Sequence, residues 1–482
     1  MPSFEFWTLV SLASYVCAIV AIIDILIKRR DPRGMIAWIF ALIFLPIAGV
    51  VLYALIGYPP LYRKVRRREK RKRIIAAALA ARSQATVAAH PADTALATDA
   101  SQRALMAMAS AVSETSPTGG NTVEIHHDAE KMFAALFAMI ESARSHVHLE
   151  YYIYADDETG RALGDLLARK VREGVEVRLL LDAVGSWKLS RAFVRDLQSR
   201  GVRVAFFLPW GLTTRRLNIN CRNHRKLVVV DGVHAVIGSH NIADEYRGRK
   251  ARFGPWRDTT LCIHGPAAAQ LQEIFAEDWH FATRESLLAE RYFPTVDPAG
   301  RQVVHIIPSG PDRRPRILDH LLFAAVSDAR HAVLLITPYF VPDNAMLLAL
   351  ESAALRGVRV RLLLPSKSDH WMVLWAGRAT YQELLEAGVE IYEYDRGMLH
   401  SKVVVVDQRW AMVGSANMDV RSFRINFELT SILYDADAAR LLEADFDALL
   451  ASSHRVLPGE IAAYSFGQQL ALGAARMATP VL

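Results

Sequence analysis

The sequence predicts an α/β fold that is built twice and is preceded by a pair of apolar helices. From about residue 121 onward, short apolar runs alternate with longer amphipathic stretches, a pattern typical of strands and helices in a sheet covered on both faces. Residues 132–157 resemble residues 317–344, and the segments that follow each stretch recur in the same order. We therefore expect two similar domains with mixed, largely parallel sheets, packed by pseudo-two-fold symmetry.

The first element is expected to be a transmembrane helical hairpin. Residues 4–27 and 35–57 are apolar, and each is long enough to cross about 30 Å of hydrocarbon as a helix. Pro46 can kink the second helix. The basic run 62–73 is denser in charge than the loop between the helices, so the positive-inside rule favours a cytoplasmic main body. The same run suits either anionic headgroups or a solvated helical face.

Length, composition and charge are consistent with this organisation. The chain has 482 residues, which exceeds what one hydrophobic core usually supports, and its 52% hydrophobic content excludes disorder. Three cysteines provide neither a disulfide framework nor a zinc site. A net charge of +7 indicates an anionic partner, either a lipid surface or nucleic acid. The expected segments are two transmembrane helices (1–60), a basic segment with an Ala-rich linker (61–120), two catalytic domains (121–298 and 299–458) and a C-terminal tail (459–482).

Each copy of the repeat contains one polar motif, HRKLVVVDGVHAVIGSHN in the first and HSKVVVVDQRWAMVGSAN in the second. Both consist of an apolar strand, a turn at Asp-Gly or Asp-Gln, and a second apolar strand, which is typical of a hairpin. A single His-x-Lys is usually a surface pair, but two copies with Gly-Ser-x-Asn at the same offset indicate a functional site. The candidates are His224, Lys226, Asp231, Ser239 and Asn241 in the first copy, and His400, Lys402, Asp407, Ser415 and Asn417 in the second.

Hairpin geometry assigns these residues different roles. A two-residue turn would pair the histidine with the serine of each copy and bring histidine, lysine, serine and asparagine to one face. Asp231 is roughly 23 Å from His224 along an extended strand, so a role in the turn suits it better. A carboxylate from beyond the returning strand is expected to fix each imidazole tautomer, and Glu245 and Glu428 are the candidates.

This residue set suits phosphoryl transfer. Two histidines can act as nucleophile and general acid, while two lysines and two asparagines stabilise the charge of the transferred group. The sequence contains no carboxylate cluster for magnesium and no histidine cluster for zinc. We therefore expect a reaction without a metal or another cofactor.

The two motifs resemble the duplicated His-x-Lys motif of the phospholipase D superfamily. Within that superfamily the chain is similar to the bacterial cardiolipin synthases, in the segments HLEYYIY, RNHRKLVVVDG, NIADEY, TPYFVPD, LHSKVVVVD and GSANMDVRSFRINFEL. His240 and Gln408 depart from the family pattern. A non-Gly residue at position 408 implies a turn different from that of the first copy.

The resemblance implies transfer of a phosphatidyl group between two phosphatidylglycerol molecules, giving cardiolipin and glycerol through a phosphohistidine. His224 is the preferred nucleophile and His400 the acid and base, with both lysines and both asparagines on phosphate oxygens and both serines nearby. It also implies a multi-pass protein of the bacterial inner membrane, with membrane lipids rather than nucleic acid as partners. Hydrolysis, transfer to another alcohol and, less favoured, nucleic acid cleavage remain alternatives, and the oligomeric state stays open.

One further feature is a set of large apolar side chains at helical spacing, Trp371, Met372 and Trp375. Such residues either pack within a domain or enter a membrane interface beside the substrate path. Packing is the favoured interpretation, and the same holds for Trp187 and Trp210.

Overall fold

The structure used here is a computed structural model, and it divides into two compact units. The first comprises residues 1–68 and 209–221, and the second comprises residues 69–208 and 222–482. Both copies of the polar motif lie in the second unit. The residues that the structure describes are 4–27, 32–53, 75, 77–92, 100–209, 221–250, 254–314 and 316–479.

The described part of the first unit is helical, with α1 (Phe4–Ile27), α2 (Pro32–Phe44) and α3 (Pro46–Leu52). Proline cannot continue a helix from the preceding turn, so the second expected span breaks at Leu45, whose backbone is not helical. Among the described residues, no helix combines the length and the apolar character needed to cross a membrane. The expected pair of spanning helices therefore finds no support there. Residues 54–57 of the second span and the basic run 62–73 lie outside the described residues.

Side chains of these helices form a small core and leave a large apolar surface. Ala18, Ala21, Ile25 and Leu42 are buried together. The Tyr53 hydroxyl donates a 3.0 Å hydrogen bond to the Asp24 carboxylate, which gives this acidic group a polar partner. Many other apolar side chains are exposed, among them Leu12, Val16, Ile19, Val20, Ile23, Leu26, Phe40 and Phe44.

The second unit alternates helices and strands. Its helices are α4 (Ala100–Ser113), α5 (Ala129–Glu141), α6 (Glu158–Arg172), α7 (Arg191–Ser199), α8 (Pro266–Thr283), α9 (Ile317–Asp328), α10 (Asn344–Leu355), α11 (Trp371–Arg378), α12 (Tyr381–Glu386), α13 (Val420–Arg424), α14 (Ala436–Leu450) and α15 (Phe466–Ala478). Its strands are β1 (Thr118–His126), β2 (His146–Tyr151), β3 (Glu176–Asp182), β4 (Arg203–Phe207), β5 (Leu227–Val230), β6 (His234–Gly238), β7 (Trp256–Arg257), β8 (Thr260–His264), β9 (Gln302–Ser309), β10 (Ala332–Ile336), β11 (Phe340–Val341), β12 (Arg359–Pro365), β13 (Glu390–Tyr394), β14 (Met398–Leu399), β15 (Val403–Val406), β16 (Trp410–Gly414), β17 (Met418–Asp419), β18 (Glu428–Leu433) and β19 (Ser453–Val456).

One large sheet runs through both copies of the repeat. Its order is β19-β13-β12-β10-β15-β16-β18-β9-β1-β8-β6-β5-β2-β3-β4. Apart from β19, the order is symmetric about the β9–β1 pair, which agrees with a pseudo-two-fold relation between the copies. Helices α5 and α6 bury apolar side chains against the first copy, and α9 and α10 do so against the second. The α/β prediction is confirmed.

The prediction of largely parallel sheets is wrong. Among the described strands, four neighbouring pairs of the large sheet are parallel and ten are antiparallel. The parallel pairs involve β2, β3 and β4 in one copy and β10, β12 and β13 in the other. Antiparallel strands such as β5 and β15 are fully buried and as apolar as the parallel strands, so their sequences look like those of parallel strands.

Part of the expected linker belongs to the folded unit. Residues 100–113 form α4, and its Leu105, Met106 and Ala109 are buried in the core of the second copy. Thr118 begins β1, which lies in the middle of the large sheet. The linker interpretation is therefore wrong for this stretch, because small Ala-rich helices can pack through a few larger side chains at helical spacing.

Both motif hairpins exist, but their turns contain three residues instead of two. Val230 pairs with His234, and Val406 pairs with Trp410. The extra turn residue shifts the register by one position, so the expected pairing of each histidine with its serine is wrong. The two turns also share one backbone conformation, because φ is 71° at Gly232 and 56° at Gln408. The expectation of a different turn at Gln408 is therefore wrong.

Candidate active site

Each motif histidine is held in place by backbone contacts from the opposite half of the second unit. The His224 amide donates to the Phe427 carbonyl at 2.9 Å, and the His400 amide donates to the Arg257 carbonyl at 2.7 Å. The segment before His400 also forms a short parallel ladder, in which β14 pairs with β7. Neither half can therefore place its own histidine without the other.

A carboxylate of the opposite half binds each imidazole. His224 Nδ1 lies 2.9 Å from Glu428 Oε2, and His400 Nδ1 lies 2.8 Å from Asp258 Oδ2. All four side chains are largely buried. A carboxylate can only accept here, so each Nδ1 carries the proton and each Nε2 keeps its lone pair. Both imidazoles are thus prepared to act through Nε2.

The two carboxylates are Glu428 and Asp258, and not Glu245. Glu428 comes after the returning strand of the second motif, and the structure places its carboxylate beside the histidine of the first motif. Glu245 instead lies in the short 3-10 helix Asp244–Arg247 and pairs with Lys250 at 3.2 Å. The expectation for Glu245 is wrong because the chain makes this extra turn before β8 begins. Aligning the two repeats on Thr260 and Thr430 and reading two residues back from each would have identified Asp258 as the counterpart of Glu428.

The motif serines bind these carboxylates. Ser239 Oγ donates to Asp258 Oδ1, and Ser415 Oγ donates to Glu428 Oε2 at 2.5 Å. Each carboxylate therefore joins the serine of its own half to the histidine of the other half. In this geometry the serines orient the carboxylates that hold the histidines, a role that sequence reasoning missed.

The two asparagines are placed differently. Asn241 Nδ2 donates to the Tyr246 hydroxyl at 2.8 Å, and its Oδ1 accepts from the Ile153 amide at 3.1 Å. The oxygen and one N–H of this side-chain amide are thus engaged in the scaffold. Asn417 Oδ1 is buried without a hydrogen-bond partner in the described part of the chain.

The motif aspartates lie at the hairpin turns, away from the imidazoles. Asp231 accepts hydrogen bonds of 2.8 Å from the amides of Arg144, Ser145 and His146 at the start of β2. Asp407 accepts from the equivalent amides at the start of β10, at 2.7 to 3.0 Å. A catalytic role is therefore not supported for either aspartate, and both fasten a turn to the first residues of a neighbouring strand.

The two lysines approach the histidines along the strand. Lys226 Nζ donates to the His224 carbonyl and Lys402 Nζ to the His400 carbonyl, both at 2.6 Å. Lys402 also acts electrostatically on His224, and Lys226 acts on His400. These cross-interactions are what a site shared by the two motifs requires.

Burial determines the protonation states. It lowers the pKa of His224 and of His400 to about 4, against the attraction of their carboxylates. Burial also lowers the pKa of Lys402 to about 8 and that of Lys226 well below its ordinary value. Burial alone would raise the pKa of Asp258 and Glu428, but the nearby histidines and lysines outweigh it and lower both. At neutral pH the imidazoles are neutral and the carboxylates are ionised.

Aromatic rings line the site unequally. Tyr152 lies edge-on to His224 with 5.0 Å between ring centroids, and Lys226 Nζ lies 5.4 Å from the Tyr152 centroid. Trp256 and Tyr246 lie 5.3 Å and 6.1 Å from the His400 ring. These rings contribute to the burial of the imidazoles, and burial strengthens the electrostatic interactions between the charged groups. Sequence reasoning missed all three, although the aromatic end of HLEYYIY is a usable signal for Tyr152.

Two stretches of the chain match one known family. Residues 136–279 and 322–450 match the family described as cardiolipin synthase, PLD-like domain. The cardiolipin synthase of Geobacillus kaustophilus strain HTA426 is 40% identical over 441 residues, covering 89% of this chain and 85% of that protein. The chain belongs to the cardiolipin synthase family. In the first unit, residues 16–57 match a second family, described as phospholipase D-nuclease N-terminal.

A second family member matches nearly the whole chain, and a solved structure supports the fold. The major cardiolipin synthase of Bacillus subtilis strain 168 is 35% identical over 476 residues, covering 98% of this chain and 99% of that protein. The crystal structure of phosphatidylserine synthase from Haemophilus influenzae Rd KW20 has a TM-score of 0.57 with 14% identity. It covers 75% of this chain and 95% of that chain, and it supports the fold alone.

Proposed function

We propose that this member of the cardiolipin synthase family transfers a phosphatidyl group from one phosphatidylglycerol to another, giving cardiolipin and glycerol. The observation that carries the proposal is the pair of imidazoles, each with Nδ1 bound by a carboxylate of the opposite half. This arrangement leaves two Nε2 atoms, one to attack phosphorus and one to carry a proton. Lys226 and Lys402 supply the positive charge for the phosphodiester.

In the first step, Nε2 of one histidine, with His224 preferred, attacks the phosphorus of phosphatidylglycerol. A P–N bond forms and the P–O bond to glycerol breaks. The phosphodiester anion raises the pKa of the neighbouring imidazole above its value in the ligand-free site, so His400 can hold a proton on Nε2. His400 gives that proton to the leaving glycerol oxygen, and the products are glycerol and a phosphatidyl-histidine.

In the second step, a primary hydroxyl of another phosphatidylglycerol attacks the phosphohistidine. His400 Nε2 takes the hydroxyl proton, a P–O bond forms and the P–N bond breaks. The product is cardiolipin, and both histidines return to their initial states. The steps balance in protons, so the chemistry needs no other reactant.

Product analysis tests the function. The purified full chain is incubated with phosphatidylglycerol alone, and lipids and glycerol are quantified. We expect cardiolipin and glycerol in equal amounts, with both lost in a His400→Ala control. Phosphatidic acid as the dominant product would instead indicate hydrolysis, and a phosphatidyl ester formed only after another alcohol is added would indicate a different acceptor.

We further propose that the N-terminal helices anchor the chain in the bacterial inner membrane. Support comes from the exposed apolar side chains of α1 and α2, which exceed what a soluble surface usually carries, and from the family match of residues 16–57. The basic run 62–73 favours a cytoplasmic second unit. We expect the chain to stay in the membrane fraction after an alkaline carbonate wash. Release by carbonate would contradict the anchor.

We also propose residues 121–298 and 299–458 as the two catalytic domains, whereas the expected tail 459–482 contains α15 and buries Ile461 and Leu472 in the core of the second copy. The symmetric strand order about the β9–β1 pair supports this division. Each proposed domain contributes one histidine, one lysine and one carboxylate to the shared site.

A further inference from the structure

The C-terminal helix α15 presents an apolar face to solvent. Phe466, Leu470 and Met477 are 83%, 65% and 84% exposed. At about 100° per residue they lie within roughly 40° of one another, along about 16 Å of helix. The opposite side of the helix packs through the buried Leu472 and Ala475. The outward face is thus as apolar as the packed one.

The polar groups of α15 turn away from this face. Arg476 donates to both Glu383 carboxylate oxygens, at 3.1 and 3.2 Å, and to the Ala379 carbonyl at 3.4 Å. Ser465 and Gln468 engage each other in a capping box at the start of the helix. No charged side chain therefore interrupts the row formed by Phe466, Leu470 and Met477.

A second exposed apolar group comes from α11, which packs along α15. Trp371 and Met372 are 66% and 41% exposed. The expectation that they pack within the domain is wrong for Trp371, whereas Trp375 contacts the core and lies 6.2 Å from the Tyr464 ring. Trp371 lies one turn before Trp375, at the start of α11, and α11 packs on α15 through Ala376 and Ala475.

These helices are continuous with the wall of the active site. The Tyr339 hydroxyl donates to Asp369 at 2.7 Å, just before α11, and Asp369 acts electrostatically on Lys402. A side chain at Gly377 would meet the Phe340 carbonyl at 2.7 Å, so α11 lies directly against β11. Strand β11 pairs with β17, which begins directly after Asn417.

We infer that Trp371, Met372, Phe466, Leu470 and Met477 form a docking face by which the second unit rests on the surface of the bilayer that holds its substrate. This inference rests on the proposed function, because its argument for a lipid partner is the membrane origin of phosphatidylglycerol. An uncharged face with Trp, Phe, Leu and Met suits the boundary between headgroups and acyl chains. Docking there brings a lipid headgroup to the Lys402 side of the site without removing the acyl chains from the bilayer.

Kinetics on two physical forms of one substrate test the docking face. The full chain is reconstituted in phosphatidylcholine vesicles containing phosphatidylglycerol, and separately assayed with monomeric dihexanoyl phosphatidylglycerol. The variants are W371S/M372S and F466S/L470S/M477S, and L348S/L441S is the matched control, with leucines that are 64% and 61% exposed elsewhere. For both docking variants we expect the KM in vesicles, expressed as mole fraction, to rise about tenfold. The kcat/KM of both docking variants for the monomeric substrate should stay within twofold of wild type. The control variant should keep its vesicle KM and its kcat/KM for the monomeric substrate within twofold of wild type.

Three results would overturn the docking face. They are an unchanged vesicle KM with an unchanged oligomeric state, an unchanged vesicle KM with an altered oligomeric state in light scattering, which would assign the face to a second copy of the chain, and an equal loss on both substrates. Wild-type inactivity on both substrates would refute the proposed function instead.

A fluorescence measurement that does not depend on catalysis distinguishes failure of the docking face from failure of the proposed function. A fluorophore on L470C, in a C17S background that removes the exposed thiol, should be quenched at least twofold by brominated phosphatidylcholine, and the same label on L441C should not. Equal quenching at the two positions would refute the docking face whatever the activity.

Discussion

The two halves of the second unit hold their histidines by the same hydrogen bond and surround them differently. Glu428 holds His224 at 2.9 Å, and the shorter Asp258 holds His400 at 2.8 Å. Two aromatic residues lie against His400 and one against His224. The residue after the first serine is His240, bound to Thr260 at 2.7 Å, where the second half has Ala416.

Some features of the histidine environment are the same in both halves, and others differ between them. The carboxylate, the Nδ1 proton and the free Nε2 are common to both halves, and so is a pKa of about 4 for each imidazole. The side-chain length of the carboxylate and the rings around it are not common. Since the ligand-free pKa values are alike, we attribute the division into nucleophile and acid to the bound substrate rather than to the protein alone.

The largest expected effect comes from neutralising the carboxylates that bind the histidine of the opposite half. E428Q and D258N should each lower kcat by about 10²- to 10⁴-fold, because the amide no longer enforces the Nδ1 tautomer or stabilises the imidazolium. Steady-state kinetics on phosphatidylglycerol measure this. E245Q is the matched control and should stay within twofold of wild type, since Glu245 pairs with Lys250. A loss confined to one of the two variants would show that only one half needs the carboxylate.

The next largest effect is a difference between the two lysines in the pH dependence of kcat/KM. The pKa of Lys402 is about 8, so its charge is lost as pH rises through that value, and kcat/KM should fall up to tenfold per pH unit above it. Because both imidazoles titrate near 4 in the ligand-free site, His400 must take up a proton when substrate binds. The kcat/KM should therefore already fall as pH rises above 4, and loss of the Lys402 charge should add a steeper basic limb above pH 8. Arginine stays charged, so K402R should remove the basic limb and K226R should leave it in place. A basic limb that persists in K402R would contradict the assignment.

A smaller effect distinguishes the cores of the halves. His146 and His148 are buried in the first half, where the second has Ala332 and Leu334, and burial lowers the pKa of His146 to about 4 and that of His148 well below its usual value. The unfolded chain therefore binds more protons between pH 6.5 and 4, so stability falls as pH decreases through this range. Each histidine should account for about 2 kcal/mol of loss between pH 7 and 5.

Urea unfolding at the two pH values measures that loss, with H148L as the variant. We expect H148L to lose about 2 kcal/mol less than wild type between pH 7 and 5, whatever its stability at pH 7. The same pH dependence in both proteins would show that His148 is protonated in the fold.

The smallest expected effect concerns the two turns. Gln408 has a φ of 56°, which costs a side chain about 1 kcal/mol, and so Q408G should stabilise the protein by about that amount. G232A should destabilise it, because a side chain there would meet the Tyr292 carbonyl at 2.8 Å and Pro294 at 2.9 Å. Thermal unfolding of both variants checks the signs. Destabilisation by Q408G would mean that its side chain makes a contact worth more than the strain.

Sequence reasoning found the parts of the site that repeat at equal spacing. His224, Lys226 and their counterparts follow from the duplicated motif, and Glu428 follows from the returning strand. Asp258 could not be found by offset, because it lies nineteen residues after Ser239 whereas Glu428 lies thirteen after Ser415. The inserted turn around Glu245 hides the equivalence.

Other features depend on packing that a local pattern does not contain. Antiparallel strands covered by helices are as apolar as parallel ones, and so strand direction was predicted wrongly. The serines and Asn241 are polar residues near a phosphate site in sequence, yet they bind Asp258, Glu428 and Tyr246 in the fold. Each of these partners lies in the same half as the residue it binds, but the pairing depends on how strands and turns pack, which a local pattern does not contain.

The central claim is that both halves form one site that carries one covalent intermediate. Denaturation of the full chain at alkaline pH, where the P–N bond survives, during turnover with phosphatidylglycerol labelled in its phosphate measures that intermediate, and peptide mapping locates it. We predict at most one phosphatidyl group per chain, on a motif histidine, with His224 preferred, and its loss in the E428Q variant. Two labelled histidines per chain would contradict a shared site, because they would show that each half reacts independently.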